Sequence, residues 1–325
     1  MQVYSKCANY ASDTCPCVLA ENGHCIVCSL CRGEDFCTCT DTVSFCIMQE
    51  LKNNGGKAKD THHITRCEIV SVKNLDENLR FLRVKIPHGR AREFKVIGSY
   101  VFVRVKENTF YDVPISVFNE DLEKDTIDLI IQIRGVKTET FRNLKDGDFL
   151  FLRGPYCNGI QGRKTLANLK EKKVLAFCRG IGFIPSLRLI DFLCKKRNQV
   201  EVYVDEGKIS WESIKDFLPL PQVKVDKIKL CDDQGNLNKE IISIIREAKE
   251  EKVNLIHLGL SSFLSKKFID EIQSCEGGLQ VSCINNSQVC CGEGICGSCT
   301  KNIDAEKTVH LCKEQLSLGD LQKVL

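Results

Sequence analysis

The feature that most constrains this 325-residue chain is a cysteine motif near its C-terminus. Cys291, Cys296 and Cys299 follow the spacing C-x4-C-x2-C, and Cys312 lies further along the chain. This is the spacing of plant-type [2Fe–2S] sites, in which four thiolates converge on two irons. Glycines between the cysteines permit the unusual backbone dihedrals that such a loop requires. The spacing therefore predicts that these four cysteines bind a [2Fe–2S] cluster, with a zinc site or free thiols as alternatives.

A second group of cysteines lies in the N-terminal part of the chain, where nine of the 21 cysteines fall within residues 1–46. No secretory leader and no apolar run of roughly 18 residues is visible, so we expect a cytoplasmic protein without a membrane span. Thiols stay reduced in that compartment, and clustered cysteines there indicate metal ligands. The net charge of +3 is too small to favour nucleic acid as a partner.

The core of the N-terminal group is the run Cys25-x2-Cys28-x2-Cys31. This is the three-ligand stretch of a cubane [4Fe–4S] site, whose fourth ligand comes from further along the chain. Cys37 is our candidate for that ligand, with Cys39 as the alternative. C-x2-C pairs also build structural zinc knuckles, so zinc remains open. Because this region has few large apolar residues, it needs a metal to stabilise it in either case.

Four regions follow from the pattern of the chain, and we expect a multidomain protein of the α+β and α/β classes. Residues 1–60 form the small metal-stabilised region. Residues 62–168 contain short alternating or β-branched runs separated by turn residues, which indicate an antiparallel β-barrel. Residues 169–280 alternate strands with helices, which predicts a Rossmann-like parallel sheet. Residues 281–325 form the C-terminal cysteine module.

A glycine turn follows the first strand of the predicted α/β region. Gly180 and Gly182 precede a helix with Pro185 in its first turn, and a helix N-terminus after such a turn binds anions well. Glu201 and Asp205 lie about 20 residues further on, where a ribose-binding carboxylate is often found. The alternatives are glycines needed for packing alone and carboxylates solvated at a strand end. The turn is therefore an open candidate for nucleotide binding.

The order of barrel, α/β region and cysteine tail resembles the ferredoxin-reductase superfamily. More closely, it resembles the electron-transfer subunits of class 1B dihydroorotate dehydrogenases, over roughly residues 62–320. Several local motifs carry the resemblance. They are Gly98-Ser99-Tyr100, Pro114-Ile115-Ser116-Val117, Gly135-Val136-Lys137-Thr138, the stretch 154–159 and the stretch 178–185.

The resemblance implies that FAD lies between the barrel and the α/β domain. It also implies that NAD(P)H delivers a hydride to the flavin and that the [2Fe–2S] cluster passes single electrons to a catalytic flavoprotein. The residues implied to line the cofactors are Gly98, Pro114, Ser116, Val117, Gly135 and Thr138 for FAD, and Gly180, Gly182 and Pro185 for the nicotinamide nucleotide.

Three positions depart from the pattern of that family. Val113 stands in place of an arginine, Arg179 in place of a glycine, and Leu258-Gly259-Leu260 in place of Cys-Gly-Pro. The electron donor therefore stays open between NAD(P)H and a ferredoxin. Two further hypotheses remain: a non-catalytic relay with a degenerate nucleotide domain, and a zinc-stabilised N-terminal interaction module. His62 and His63, at the start of the barrel region, are expected to be solvated.

Overall fold

The N-terminal region contains little regular structure. The computed structural model describes residues 6–39, 45–60, 62–217, 223–275 and 278–325 of the chain. In the first two of these ranges the helices are α1 (Val18–Glu21), a 3-10 turn (Leu30–Arg32) and α2 (Ile47–Asn53). The buried cluster between them is formed by Cys15, Cys25, Cys28 and Cys31 together with Tyr10, Ala20, Ile47 and Leu51. Thiols thus take positions that apolar side chains fill in an ordinary core.

Six antiparallel strands close into a barrel, which confirms the antiparallel barrel predicted from the sequence. Neighbouring strands follow the order β1-β2-β5-β4-β3-β6. The strands are β1 (Thr65–Asp76), β2 (Leu79–Lys85), β3 (Tyr100–Arg104), β4 (Val113–Asp121), β5 (Thr126–Gln132) and β6 (Phe149–Tyr156). A 3-10 helix (Arg90–Lys95) precedes β3, and the short helix α3 (Val136–Glu139) follows β5. Apolar side chains such as Ile69, Val84 and Leu129 fill the interior.

A six-stranded sheet in the order β10-β9-β8-β11-β12-β7 follows the barrel, parallel except for β7. Its strands are β7 (Ile160–Gln161), β8 (Lys173–Arg179), β9 (Gln199–Asp205), β10 (Lys224–Lys227), β11 (Val253–Gly259) and β12 (Gln280–Ile284). Its helices are α4 (Arg163–Asn168), α5 (Phe183–Lys195), α6 (Trp211–Ile214), α7 (Lys239–Glu247) and α8 (Ser262–Ser274), with 3-10 turns at Gly180–Gly182 and Lys215–Phe217. The predicted parallel α/β architecture is confirmed.

Strand β8 shows why both faces of this sheet carry helices. Val174 and Ala176 pack in the same cluster as the apolar residues of α5, whereas Leu175 and Phe177 pack with those of α7 and α8. Since successive strand residues point to opposite faces, a continuous apolar run requires cover on both sides. The sheet is therefore buried between layers, and its strand ends are the accessible part.

The chain ends in a small module beyond β12. Strands β13 (Thr300–Asn302) and β14 (Thr308–His310) form a hairpin, and α9 (Leu318–Val324) follows. The segment between β12 and β13 carries the first three cysteines of the C-terminal motif. Among the residues described above, no helix has the length and apolar character needed to cross a bilayer.

Candidate functional site

A cavity of about 380 Å³ lies between the barrel and the carboxyl edge of the parallel sheet. Five of the nine predicted cofactor residues line it: Pro114, Ser116, Thr138, Gly182 and Pro185. The first two come from β4, Thr138 from α3, and the last two from the glycine turn and the start of α5. A larger groove of about 720 Å³ elsewhere contains none of the predicted residues. Three of the stretches of sequence singled out by motif thus meet at one cavity.

The other four predicted cofactor residues do not line this cavity. Val117 is 2% exposed and packs inside the barrel. Gly98 has a φ of +78°, and a β-carbon there would lie 2.7 Å from the Ile160 nitrogen, so it allows two loops to approach closely. Gly135 donates its N–H to the Thr138 hydroxyl at 3.1 Å, and Gly180 begins the turn with a φ of +52°. The structure thus gives these four residues backbone or core roles beside the cavity, and their contact with a cofactor stays a prediction.

Tyr100 is a lining residue that the sequence analysis did not include among the site residues. Its hydroxyl oxygen is buried and has no hydrogen-bond partner in the described part of the chain. Burial also raises the pKa of this phenol well above its usual value. A buried polar group without a partner is costly. Besides burial, the Cys312 thiol and the Tyr156 phenol raise the pKa of Tyr100, so its hydroxyl lies toward the cysteine loop. Its place at the end of the Gly98-Ser99-Tyr100 motif is the sequence signal from which it could have been identified as a site residue.

The cavity continues toward the C-terminal cysteines. Asn285, Asn286 and Ser287 line it and directly follow β12. Polar residues at the carboxyl end of a parallel strand are a general signal for a ligand site, and the sequence analysis missed it. Val289 also lines the cavity and packs against an aromatic cluster formed by Tyr100, Phe102 and Tyr156. The wall of the cavity therefore runs into the segment that carries the cysteines.

The C-terminal motif, residues 291–299 with Cys312, is called the cysteine loop below. The Cys312 thiol lies within hydrogen-bonding reach of the Cys291 and Cys299 sulfurs, which lowers the pKa of Cys291 to about 4 and that of Cys299 to about 7. The same contacts raise the pKa of Cys312. Backbone N–H groups reinforce the effect, since Glu293 donates to the Cys291 sulfur at 3.2 Å. Cys296 is exposed.

The backbone of the cysteine loop has the conformation that its glycines predict. Gly292, Gly294 and Gly297 have φ angles of +75°, +78° and +77°. Thiols that meet N–H groups on a glycine loop are the donor set expected of a thiolate-bound cluster. No three or more Cys, His, Asp or Glu side chains close around a single ion in the ranges described.

The structure brings together three of the four predicted N-terminal ligands. Cys25, Cys28 and Cys31 are buried in one cluster, and the Cys28 N–H donates to the Cys25 sulfur at 3.3 Å. Cys37 is exposed and lies beside Cys39, whose pKa is raised mainly by a hydrogen bond between the two thiols. The fourth predicted ligand is thus exposed, unlike the three buried ones, and its participation in a metal site stays a prediction.

The candidate nucleotide residues have roles within the fold. A β-carbon on Gly182 would lie 2.2 Å from the Gly259 oxygen, so glycine is needed there for packing. Arg179 pairs with Asp205 at 3.2 Å, and Asp205 also accepts N–H groups of Gly207 and Leu230 at 3.0 Å each. The Asp205 carboxylate, which was predicted to bind a ribose, is therefore already bonded to groups within the protein. Its companion candidate, residue 201, takes part in lysine ion pairs.

The expectation of a solvated His62 is wrong, whereas His63 is 67% exposed. The His62 side chain is 5% exposed, and its ring nitrogens lie 2.7 Å from Glu293 Oε1 and 2.9 Å from the Pro155 oxygen. Glu293 also pairs with Lys313 at 3.0 Å. Burial opposes ionisation of Glu293, but the His62 hydrogen bond and the Lys313 charge outweigh it and hold its pKa at about 2. Local sequence pattern gives no signal for a contact between residues so far apart.

Comparison with known proteins agrees with this geometry. Residues 66–159 match the family described as oxidoreductase FAD-binding domain. The chain is 25% identical over 211 residues to the dihydroorotate dehydrogenase B (NAD(+)) electron transfer subunit of Caldanaerobacter subterraneus subsp. tengcongensis, covering 65% of this chain and 78% of that protein. It is 30% identical over 190 residues to the probable equivalent subunit of Pyrococcus horikoshii, covering 57% and 66% of the two chains.

Solved structures show the same fold. A chain of the NADH-dependent reduced ferredoxin-NADP oxidoreductase superposes with a TM-score of 0.59 at 15% identity, covering 79% of this chain and 87% of the other. The ferredoxin reductase of carbazole 1,9a-dioxygenase gives a TM-score of 0.52 at 15% identity, with coverages of 68% and 69%. Residues 66–159 thus form an FAD-binding domain of oxidoreductase type, the chain is similar in sequence to dihydroorotate dehydrogenase B electron-transfer subunits, and its fold is that of the ferredoxin reductases.

Proposed function

We propose that this chain is the electron-transfer subunit of an oxidoreductase complex in the cytoplasm. It carries FAD in the cavity and a [2Fe–2S] cluster on Cys291, Cys296, Cys299 and Cys312, and it exchanges electrons with a catalytic flavoprotein. The observation that carries this proposal is the shared wall: Tyr100 belongs both to the cavity and to the aromatic cluster beside the cysteine loop. The regions 1–60, 62–168, 169–280 and 281–325 serve as metal-binding, FAD-binding, nucleotide-binding-like and cluster-binding domains.

The cavity residues divide the work of holding the flavin. FAD, when bound, supplies the conversion between two-electron and one-electron chemistry. Pro114 and Ser116 on the barrel side face Gly182 and Pro185 across the cavity. Tyr100 offers a hydroxyl that no described residue satisfies. Apolar side chains of the lining exclude water around these polar groups.

The first experiment identifies the electron donor. The purified holoprotein is mixed anaerobically with NADH, NADPH or reduced ferredoxin, and the flavin absorbance is followed. We expect at least one donor to bleach the flavin. Absence of bleaching with all three donors would contradict the proposal. The catalytic flavoprotein is identified as a chain that co-purifies with this one and receives its electrons.

A second candidate is a relay in which the nucleotide domain is only a scaffold. It is favoured by the internal partners of Asp205 and by the packing role of Gly182. In that case NADH does not bind, and reduced ferredoxin or another flavoprotein is the donor. A titration of the holoprotein with NADH separates the two functions, because micromolar affinity excludes the scaffold and bleaching by ferredoxin alone excludes the dehydrogenase.

The N-terminal region completes the proposal with a [4Fe–4S] site on Cys25, Cys28, Cys31 and Cys37. Three of these thiols already share a buried cluster. Iron, zinc and acid-labile sulfide are measured in the full chain, and roughly six irons and six sulfides per chain are expected for the two clusters. We expect the Cys25→Ser variant to lose the iron and sulfide of the N-terminal site. Cys194→Ser, which changes a cysteine outside both groups, should retain them. Zinc without additional sulfide would instead support a zinc-stabilised interaction module.

A further inference from the structure

The N-terminal region is seated directly on the segment that follows the cysteine loop. Ala8 donates its N–H to the Lys313 oxygen at 2.8 Å, and Gln315 donates its N–H to the Lys6 oxygen at 2.7 Å. Between these bonds, Cys7 forms an antiparallel bridge with residue 314. The two cysteine-bearing parts of the chain are therefore joined by backbone pairing, which sets the position of one against the other.

Side chains close the same contact on the face of the cysteine loop. A β-carbon on Gly294 would lie 3.0 Å from Leu19 Cδ1 and 3.4 Å from Lys313 Cγ. Leu19 belongs to α1 and is 6% exposed. The absence of a side chain at Gly294 thus lets α1 and the Lys313 stem meet over the loop. The space between the two cysteine groups is filled by protein rather than by solvent.

Lys313 is the charged group inside this contact. Its side chain is completely buried, and one of its three donors reaches Glu293 Oε2 at 3.0 Å. When deprotonated, the Cys7 and Cys17 thiols also stabilise the charged form of this ammonium. A buried ammonium requires compensating negative charge. On the N-terminal side Cys7 and Cys17 lie nearest to it, and the Cys7 thiol in turn interacts with Cys25 of the proposed metal site, whose thiolates supply negative charge when a metal is bound.

We propose that Lys313 is a positioning residue that couples the two cysteine-bearing regions electrostatically. Its ammonium lies between Glu293 of the cysteine loop and the thiols of the N-terminal region, and it raises the reduction potential of the centres on both sides. This inference rests on the proposed function, because it requires a redox centre in each region. Each reduction adds one electron and hence one negative charge, which a positive charge in a low-dielectric site stabilises.

The test is a redox titration of the anaerobic holoprotein with dithionite as the electron source, followed by visible absorbance and electron paramagnetic resonance. In Lys313→Met, we expect the reduction equilibrium of both centres to shift at least tenfold toward the oxidised form, which is about 59 mV for a one-electron couple. Lys313→Arg keeps the charge and stays within about threefold of the wild type. Lys307→Met removes an exposed lysine that pairs with Asp320, and it is the matched control with no shift expected.

A second variant keeps the proposal testable if Lys313→Met does not hold its clusters. Glu293→Gln removes the negative partner and leaves the ammonium, so both equilibria shift in the opposite direction, toward the reduced form. Unchanged midpoints in loaded Lys313→Met overturn the coupling but leave the proposed function standing. Midpoints that fall or stay constant in Glu293→Gln overturn it as well. A wild-type chain without a redox centre in residues 1–60 overturns the coupling and the N-terminal [4Fe–4S] assignment but leaves the electron-transfer function through FAD and the [2Fe–2S] cluster standing, and metal analysis before the titration identifies that case.

Discussion

The two cysteine groups are built in opposite ways. In the cysteine loop, glycines with positive φ angles and backbone N–H groups give the loop its shape, and Cys296 stays exposed. In the N-terminal region, Cys25, Cys28 and Cys31 are part of the buried interior itself, together with a small set of apolar side chains. The first group is shaped by its backbone, whereas the second depends on what its thiols bind. The difference teaches that equal cysteine density does not mean equal dependence on metal.

The largest expected effect concerns the ligands of the cysteine loop. Cys312→Ser removes a buried thiol that contacts two others, and we expect the absorbance and paramagnetic signals of the C-terminal cluster to be lost completely. Cys290→Ser is the matched control, because this exposed neighbour of Cys291 is not a predicted ligand. Iron and sulfide content of the two purified variants checks this. Equal loss in both variants would break the assignment of ligands by spacing.

Removal of metal tests the comparison directly. We expect amide exchange in residues 6–39 and 45–60 to accelerate roughly a hundredfold after iron chelation, since this needs a local loss of about 3 kcal/mol. Exchange in residues 291–299 should change much less, because the pairs of Glu293 with His62 and Lys313 hold that loop independently of a metal. Hydrogen exchange read by mass spectrometry measures both segments in one sample. Similar acceleration in the two segments would show that the loop also depends on its metal.

The parallel sheet supplies a reference that is independent of thiols. His257 is fully buried, with its ring nitrogens 2.9 Å from the Ser186 and Ser282 hydroxyls, and burial lowers its pKa from 6.5 to about 3. Because the unfolded chain takes up a proton below about pH 6.5 and the folded chain does not, this contribution to stability is present above that pH and is lost as the pH falls. We expect a loss of about 2 kcal/mol between about pH 7 and about pH 5.

The measurement is urea unfolding of the wild type and of His257→Gln at both pH values. The variant keeps a donor and an acceptor for the two serines but does not titrate, so its loss on acidification is smaller by about that amount. His63→Gln removes an exposed imidazole and serves as the control. The same pH dependence in wild type and His257→Gln would place the acid-sensitive group outside the sheet, for example in a cysteine region.

The smallest expected effect separates backbone strain from contact within the cysteine loop. Gly294→Ala and Gly297→Ala both place a side chain at a positive φ, which costs about 1–2 kcal/mol. Only the Gly294 variant also meets Leu19, since nothing lies near a β-carbon at Gly297. We therefore expect faster proteolysis of the N-terminal region in the first variant and not in the second. Equal cleavage rates would show that α1 is not held by this contact.

Much of the architecture could be predicted because it follows from local patterns of apolar and polar residues along the sequence. Apolar runs that require cover on both faces indicated the parallel sheet, and short alternating runs indicated the barrel. Strand β4 is harder to recognise, since it contains Pro114, which removes a ladder donor and weakens the strand signal. The cysteine spacing anticipated the glycine conformations of the loop.

The parts of the site that escaped prediction depend on long-range contacts. Tyr100 becomes a candidate only when its hydroxyl is seen to be buried without a partner among the described residues. His62 looks like a linker residue until it meets Glu293, which lies 231 positions away. Only five of the nine predicted cofactor residues line the cavity. The other four were included because motif matching cannot separate residues that touch a ligand from residues that shape the backbone or fill the core.

The pairing of residues 6–8 with residues 313–315 also bears on how this chain is made. Synthesis proceeds from the N-terminus, so the ribosome adds about 300 residues before the partner of the first segment exists. The barrel and the sheet have time to form in that interval. During it, the N-terminal thiols lack the segment 313–315 against which their region packs. Residues 6–8 are thus made well before the segment with which they pair, and the thiols of the N-terminal region are open to oxidation or to the wrong metal during that interval.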